Sequence, residues 1–209
     1  MDTISVTSER YTINGKEYPR LSVVTSQRRN IPLEGWRKRV GEEEADRIST
    51  AHADYGTLVH EMTALDDLER YCDLDRLLDM HEWLLPHMAS WRLWRKEYVK
   101  SVIAVEVVVW SERYWCAGRV DRVLVMRGDR SPSIGDLKTG SLYDEIGVDL
   151  AGYRYMWNER NPKCKANRRL AIHLPRENPG YIRVKPYGNK GDEGVWKEMC
   201  RDYQMVNGG

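Results

Sequence analysis

The pattern of apolar and polar positions changes character near residue 100. Before that point apolar residues recur at helical intervals. Leu58, Met62 and Leu65 within 55–71 fall on one face of an α-helix. Trp36, Val40 and Ile48 predict a buried stripe on a helix over 33–51, a stretch with no interior proline. A further helical pattern passes through Leu77, Leu78, Trp83, Leu84 and Trp91, with Asp73 as its expected cap. Pro86 is expected to kink or split it. After residue 100 the texture is β-branched, and 101–110, 114–126 and 132–138 predict strands. Arg127-Gly128-Asp129-Arg130 reads as the turn between the second and third. Residues 145–160 predict an amphipathic helix stopped by Asn161-Pro162, then 168–174 and 180–186 predict strands and 191–206 a closing helix. At the other end, residues 1–24 read as short strands. Asn14-Gly15 suits a type I′ turn between 11–13 and 16–18.

This order predicts one α/β domain over 1–209, with a central mixed sheet flanked by helices and a helical N-terminal half. Residues 1–100 hold strands and helices, 101–186 the sheet and helix that carry the chemistry, and 187–209 the last helix. A length of 209 residues is enough to bury a core of its own.

Composition narrows the class. Hydrophobic residues at 41% and charged residues at 31% fit a soluble globular protein. No run of about 18 apolar residues exists, so no transmembrane helix and no membrane partner are expected. The N-terminal MDTISVTSERY lacks the apolar segment of a signal peptide, which makes a cytoplasmic location the expectation. Cys72, Cys116, Cys164 and Cys200 form no CxxC pair, so they read as reduced thiols rather than zinc or iron–sulfur ligands. The net charge is +1, but it is unevenly spread. Basic clusters stand at Arg28-Arg29, Arg37-Lys38-Arg39, Arg92 to Lys100 and Lys163 to Arg169; acids gather at 42–44 and at Asp66-Asp67. A sum near zero is compatible with a basic groove, and equally with solvated helix faces. Phe is absent, whereas there are 8 Trp and 12 Tyr, flat rings with a polar edge of the kind that stack on bases. The Trp residues in 83–94 follow a helical period and read as core.

The chemistry concentrates on the predicted strands. Asp121 and Asp136 lie on two strands joined by a turn, so antiparallel pairing aims both carboxylates at one spot. Converging carboxylates favour a hard divalent cation such as Mg²⁺ or Mn²⁺. Lys138 stands two residues beyond Asp136 and therefore faces the same side of its strand. Glu106 sits in an apolar run, Val105 to Val109, where an acid requires a partner or a metal. Gly118 leaves room for a close approach. Two plainer readings stand beside these: an Asp136–Lys138 surface ion pair contributing roughly 0–1 kcal/mol, and pairing of Asp121 with Arg119 or Arg122. Ser22 and Thr25 read as cap or turn residues, and His52, His81, His87 and His173 as structural. No constellation suggests a Ser, Cys or Thr nucleophile. No GxxxxGK[ST] loop is present, so any unwinding falls to a partner.

GRVDRV (118–123) and GDLKTG (135–140), with 14 residues between the aspartates, resemble the PD-(D/E)xK nuclease superfamily. The GTLVH stretch that ends at His60 is similar to the Gly-Thr-to-His helix of the RecB-like branch. DLAGY (149–153) matches that branch's Gln-x-x-x-Tyr at Tyr153, with Asp149 in place of the Gln. The LSVVTS segment (21–26) and the Trp-bearing helix from Trp36 to Ala45 resemble the sub-branch of the mitochondrial genome maintenance exonuclease and phage exonucleases. The resemblance implies a restriction-endonuclease-like core and a metal-dependent DNA exonuclease of repair, recombination or replication, working from single-stranded ends. A structure-specific or restriction-type endonuclease, or a non-catalytic DNA-binding protein on the same fold, are the alternatives. It further implies Mg²⁺ or Mn²⁺ held by His60, Glu106, Asp121, Asp136 and the Leu137 carbonyl, with Lys138 acting on the attacking water. DNA contacts are assigned to Arg28, Arg29, Arg37, Arg39 and Tyr153. The implied partners are DNA and a helicase, recombinase or single-strand-binding protein, and the implied source is a phage or a bacterium.

Overall fold

A five-stranded sheet separates two layers of helices in the computed structural model, which describes residues 2–27 and 31–208. The chain opens with β1 (Ile4–Val6), β2 (Arg10–Ile13) and β3 (Lys16–Pro19), an antiparallel three-stranded sheet. Asn14 and Gly15 both take positive φ in the turn between β2 and β3, as the type I′ expectation requires. Helices α1 (Leu21–Thr25), α2 (Ile31–Val40), α3 (Glu42–Asp67), α4 (Tyr71–Met80) and α5 (Leu85–Tyr98) follow. Then come β4 (Val99–Ser111), β5 (Cys116–Met126), β6 (Ser133–Lys138), α6 (Ile146–Arg160), β7 (Arg168–His173), β8 (Arg183–Pro186) and α7 (Asp192–Asn207). The central sheet runs β4-β5-β6-β7-β8. All its pairs are antiparallel except β6 with β7, which the α6 crossover joins in parallel. The α/β class, the mixed sheet and the helical N-terminal half are as the pattern predicts. No helix among the described residues is long and apolar enough to cross a membrane.

Each face of the sheet buries a separate apolar cluster. On one side Val59, Met62 and Leu65 of α3, Leu74 and Leu77 of α4, and Met88, Trp91 and Trp94 of α5 cover Leu124, Leu137 and Leu170. On the other, Leu150, Met156 and Trp157 of α6 and Trp196 of α7 cover Val120, Val123 and Ile134, with Leu21 and Val24 of α1. Each aliphatic side chain so buried contributes about 1.5–3 kcal/mol. With helices on both sides, β6 is almost wholly enclosed, which is why SIGDLK does not alternate as a one-sided strand would. The small N-terminal sheet packs Tyr11, Ile13 and Tyr18 against Trp110 and Ala117 at the far end of the β4–β5 hairpin.

Several boundaries differ from the sequence pattern. Residues 21–24, expected as strand, belong to α1, where Leu21 and Val24 reach the core from one helix face. The helix expected over 33–51 breaks at Gly41, whose φ of 93° lies outside the right-handed helix. Beyond it α3 runs on without interruption through 52–54, and Ala45 is buried while Trp36, Val40 and Ile48 are only half-buried. Asp73 is not a cap. It sits in the first turn of α4 and accepts a 2.9 Å hydrogen bond from Arg70 Nε. Pro86 lies in the first turn of α5 and marks the split with α4, across a 3-10 turn at Glu82–Leu84. Strand β8 covers only the last four of the residues expected in 180–186.

His87 of α5 lies fully enclosed against α3. The Tyr55 hydroxyl meets its Nε2, and its Nδ1 has no hydrogen-bond partner among the described residues. Burial pushes the imidazole down to about 4 from 6.5. The unfolded chain therefore takes up a proton that the folded chain refuses as pH falls below 6.5. Stability should drop across that window and level off below about 4. Urea midpoints at pH 7 and pH 5 check this: His87→Gln should show the smaller drop, and equal drops would assign the effect elsewhere.

Candidate functional site

The backbone ladder between β5 and β6 is short. It pairs Arg122 with Gly135, Val123 with Ile134 and Leu124 with Ser133, and ends there. Just beyond, the strands part and the Asp121 side chain fills the gap. Its Oδ2 accepts a 2.7 Å hydrogen bond from the Leu137 N–H, satisfying an amide the ladder leaves unpaired. Asp121 and Asp136 are both buried and stand on adjacent strands, as their spacing predicts. Asp136 and Lys138 lie two apart on β6, and the Lys138 ammonium rests 2.6 Å from Asp136 Oδ2. The pair is not a surface ion pair, because Asp136 is 6% exposed.

Helix α3 brings the histidine. Gly56 approaches the residues after β6 so closely that a Cβ there would stand 3.3 Å from Thr139 Oγ1. One turn later on the same face, His60 Nε2 lies 3.2 Å from the Leu137 carbonyl oxygen and Nδ1 3.6 Å from Asp121 Oδ2. Glu106 comes from β4. Register places it level with Asp121, since Val105 pairs with Arg122 and Val107 with Val120. Its φ of 49° is left-handed, a costly state for a non-glycine residue in a strand. Its carboxylate is held by Arg119 at 2.8 Å and Arg122 at 3.4 Å. Ligand atoms of His60, Glu106 and Asp121 all fall within 4.8 Å of one another. Asp136 stands outside that trio, paired with Lys138.

The donor set fits a divalent cation. Oxygen ligands on one octahedral ion with ~2.1 Å bonds lie at most ~4.2 Å apart, so the side chains need to close by only about half an ångström. Two carboxylates and the nearby Leu137 carbonyl suit Mg²⁺ or Mn²⁺, and the imidazole shifts the preference toward Mn²⁺. His60 and Glu106 line a cleft of about 520 Å³ with Gly56, Thr57 and Arg119.

Helix α6 closes the site from the other side. Gly118 is essential there, because a Cβ would stand 2.6 Å from Tyr153 Cε1. Burial pushes the Tyr153 hydroxyl well up, and the Asp136, Asp121 and Asp149 charges add to the rise. Asp149, one turn before Tyr153, is pushed to about 6 by burial, against the lowering influence of the Thr25 hydroxyl. Burial likewise raises Asp136 to about 6 despite the Lys138 ammonium, and the Asp121 charge adds to the rise. For Lys138 burial alone would lower the pKa, but Asp136, Asp121 and Asp149 hold it at about 12, so the side chain stays a cation at neutral pH. Three aspartates thus share one lysine at this end of the sheet.

The sequence reading missed the residue beneath the site. Arg122 is fully buried. Its Nε donates to Asp67 Oδ2 at 2.5 Å, Nη1 to the Asp121 carbonyl at 2.6 Å and Nη2 to Thr63 Oγ1 at 2.9 Å. Neither Arg119 nor Arg122 pairs with the Asp121 carboxylate among the described residues; both go to Glu106. An arginine between Asp121 and Val123, in a strand otherwise apolar up to Met126, was the available signal. Of the proposed DNA contacts, Arg37 is committed to Glu42 and to Asp46 at 2.7 Å. Arg39 is exposed on α2, and Arg28 and Arg29 lie outside the described residues. The Arg92–Arg95 cluster and the Asp66–Asp67 acids, separate in sequence, neutralise one another through contacts of 2.8 Å and 2.6 Å. All four cysteines are free.

No family model matches the chain, and no curated protein matches it. Among solved structures it is similar to that of SSO0001, at 13% identity and a TM-score of 0.39, over 72% of this chain and 73% of that one. A likeness at this level carries no argument about function.

Breaking the Arg122–Asp67 pair leaves an uncompensated charge in a closed space. Arg122→Met should therefore cost about 3–5 kcal/mol of folding stability, read from denaturant unfolding. A loss below about 1 kcal/mol, the range of surface pairs, would show that the pair does not hold α3 to the sheet.

Proposed function

We propose that the chain is a metal-dependent deoxyribonuclease of the PD-(D/E)xK, RecB-like kind, acting as an exonuclease on single-stranded DNA ends. The observation that carries this reading is the gathering of His60, Glu106 and Asp121 around one point, with the Asp136–Lys138 pair on the next strand and an open cleft in front. A divalent cation bound there lowers the pKa of a water molecule and offsets charge on a phosphodiester. The protein's own residues do the remainder. Asp121 is oriented by the Leu137 amide, and His60 by its place above the Leu137 carbonyl. Asp136 holds the Lys138 ammonium, which donates hydrogen bonds to the attacking water or to the phosphate oxygens as charge builds. Arg119, half-exposed at the wall of the cleft, supplies a guanidinium for a neighbouring phosphate. The acids around Asp149 keep further phosphates off the α6 side, so the strand lies along α3.

The test is incubation with end-labelled linear and closed circular single-stranded DNA, in Mg²⁺, Mn²⁺ or EDTA. The linear strand alone should be degraded, and only with metal. Asp121→Asn and Lys138→Ala should each lower cleavage by roughly 10²–10³ or more while leaving the thermal melt cooperative. A fully active Lys138→Ala variant would sink the mechanism. Cutting of the circle would make the protein an endonuclease, and binding without cleavage would make it a DNA-binding protein on a nuclease-like frame.

A further inference from the structure

Another face of the same helix borders a second recess that the cation site does not use. It encloses about 510 Å³ between Ala51, Tyr55, Leu58, Trp83, Arg176 and Pro179. Tyr55 and Trp83 stack with ring centroids 4.5 Å apart and planes inclined by 19°. The Arg176 guanidinium lies over Tyr55 at 5.0 Å from its centroid. Trp83 precedes α5 and read as core from its spacing, yet it is 39% exposed, whereas Trp91 and Trp94 are buried.

We propose that this recess is a base-stacking subsite for single-stranded DNA, feeding the cleft at His60. The inference rests on the nuclease reading and deepens it by naming where the unpaired strand is gripped. Three observations support that occupant. The first is position: Tyr55 and His60 are five residues apart on α3, about 7.5 Å along its axis and about 140° around it, so a strand leaving the recess reaches the cleft by turning round the helix. The Arg176 backbone N–H also donates to the Thr139 carbonyl at 3.4 Å, tying the main chain at this position to the residue directly after Lys138. The second is chemistry, since a part-exposed indole stacked on a tyrosine that carries a guanidinium matches a nucleobase followed by its phosphate. The third is rigidity. The Tyr55 hydroxyl is held from beneath by His87, and the Pro179 carbonyl is fixed by the Ser90 hydroxyl of α5 at 2.9 Å. A platform set before binding loses little entropy when a base arrives.

The experiment uses the full chain in EDTA with a single-stranded oligonucleotide carrying 2-aminopurine, whose emission falls when it stacks, and with a duplex of the same length. Cleavage of the linear strand in Mn²⁺ is measured separately on the unaltered protein. The unaltered protein should quench the probe. Trp83→Ala should weaken single-strand binding about 5- to 150-fold and abolish the quench, with Trp83→Tyr restoring both. Arg176→Gln should lower the salt dependence of binding. If Trp83→Ala fails to fold, the quench by the unaltered protein and the Arg176→Gln salt slope decide: no quench, or an unchanged slope, overturns the subsite. A protein that cleaves while Trp83→Ala still binds and quenches normally loses the subsite and keeps the nuclease reading. Trp83-dependent quenching with no cleavage keeps the subsite and removes the nuclease. Neither binding nor cleavage removes both.

Discussion

A buried guanidinium has to spend its hydrogen bonds inside the protein, and the placement of Arg122 organises much of what surrounds it. From β5 it reaches Asp67 and Thr63 on α3, Glu106 on β4 and the carbonyl of Asp121 on its own strand. Its guanidinium carbon lies over the Trp91 ring, 5.6 Å from the centroid, and Arg95 shares Asp67 with it. Burial pushes the Asp67 carboxyl up, against the pull of both arginines, which is the mark of a charge that depends on its partners. These contacts set the rotation of α3 about its axis. Gly56, His60, Thr63 and Asp67 follow each other at helical intervals along one stripe. Once Asp67 and Thr63 are tied to Arg122, His60 two turns earlier has to lie over the Asp121–Leu137 gap.

The gap itself is a local failure of sheet pairing put to use. Where β5 and β6 part, one carboxylate replaces a ladder hydrogen bond, so Asp121 is held by the backbone rather than by a competing cation. Glu106 is different, because two arginines already hold it and its backbone is strained. A divalent ion at this point would draw on one carboxylate fixed by an amide and on a second shared with guanidinium groups. Asp136 and Lys138 form a unit of their own on the face of β6 that α6 covers, where Tyr153 fits only because residue 118 lacks a side chain.

Charge along the chain is redistributed by the fold. Arg92 and Arg95 look like part of a basic stripe in the linear sequence but meet Asp66 and Asp67 across α3 and α5, and Arg37 meets Glu42 and Asp46. Arg119 stands at the cleft wall and Arg176 over Tyr55, and neither belongs to a basic cluster of the linear sequence.

Periodicity within short windows determined the strands and helices, the α/β class and the shared face of Asp136 and Lys138, because those features depend on neighbours a few residues away. The spacing of Asp121 from Asp136 and the turn between them placed two acids together, and an acid in the apolar run around Glu106 signalled a buried partner. The tertiary structure decided the rest. The helical state of 21–25 comes from Leu21 and Val24 reaching a core formed by residues more than 90 positions away, including Val120 and Leu150. The break at Gly41 follows from a backbone angle that composition alone does not assign. Which arginine pairs with which acid, and that Trp83 faces outward while Trp91 faces inward, depended on how α3 and α5 pack on the sheet. Contacts between distant residues carry no periodic signature in a single sequence; they exist only once the chain has closed.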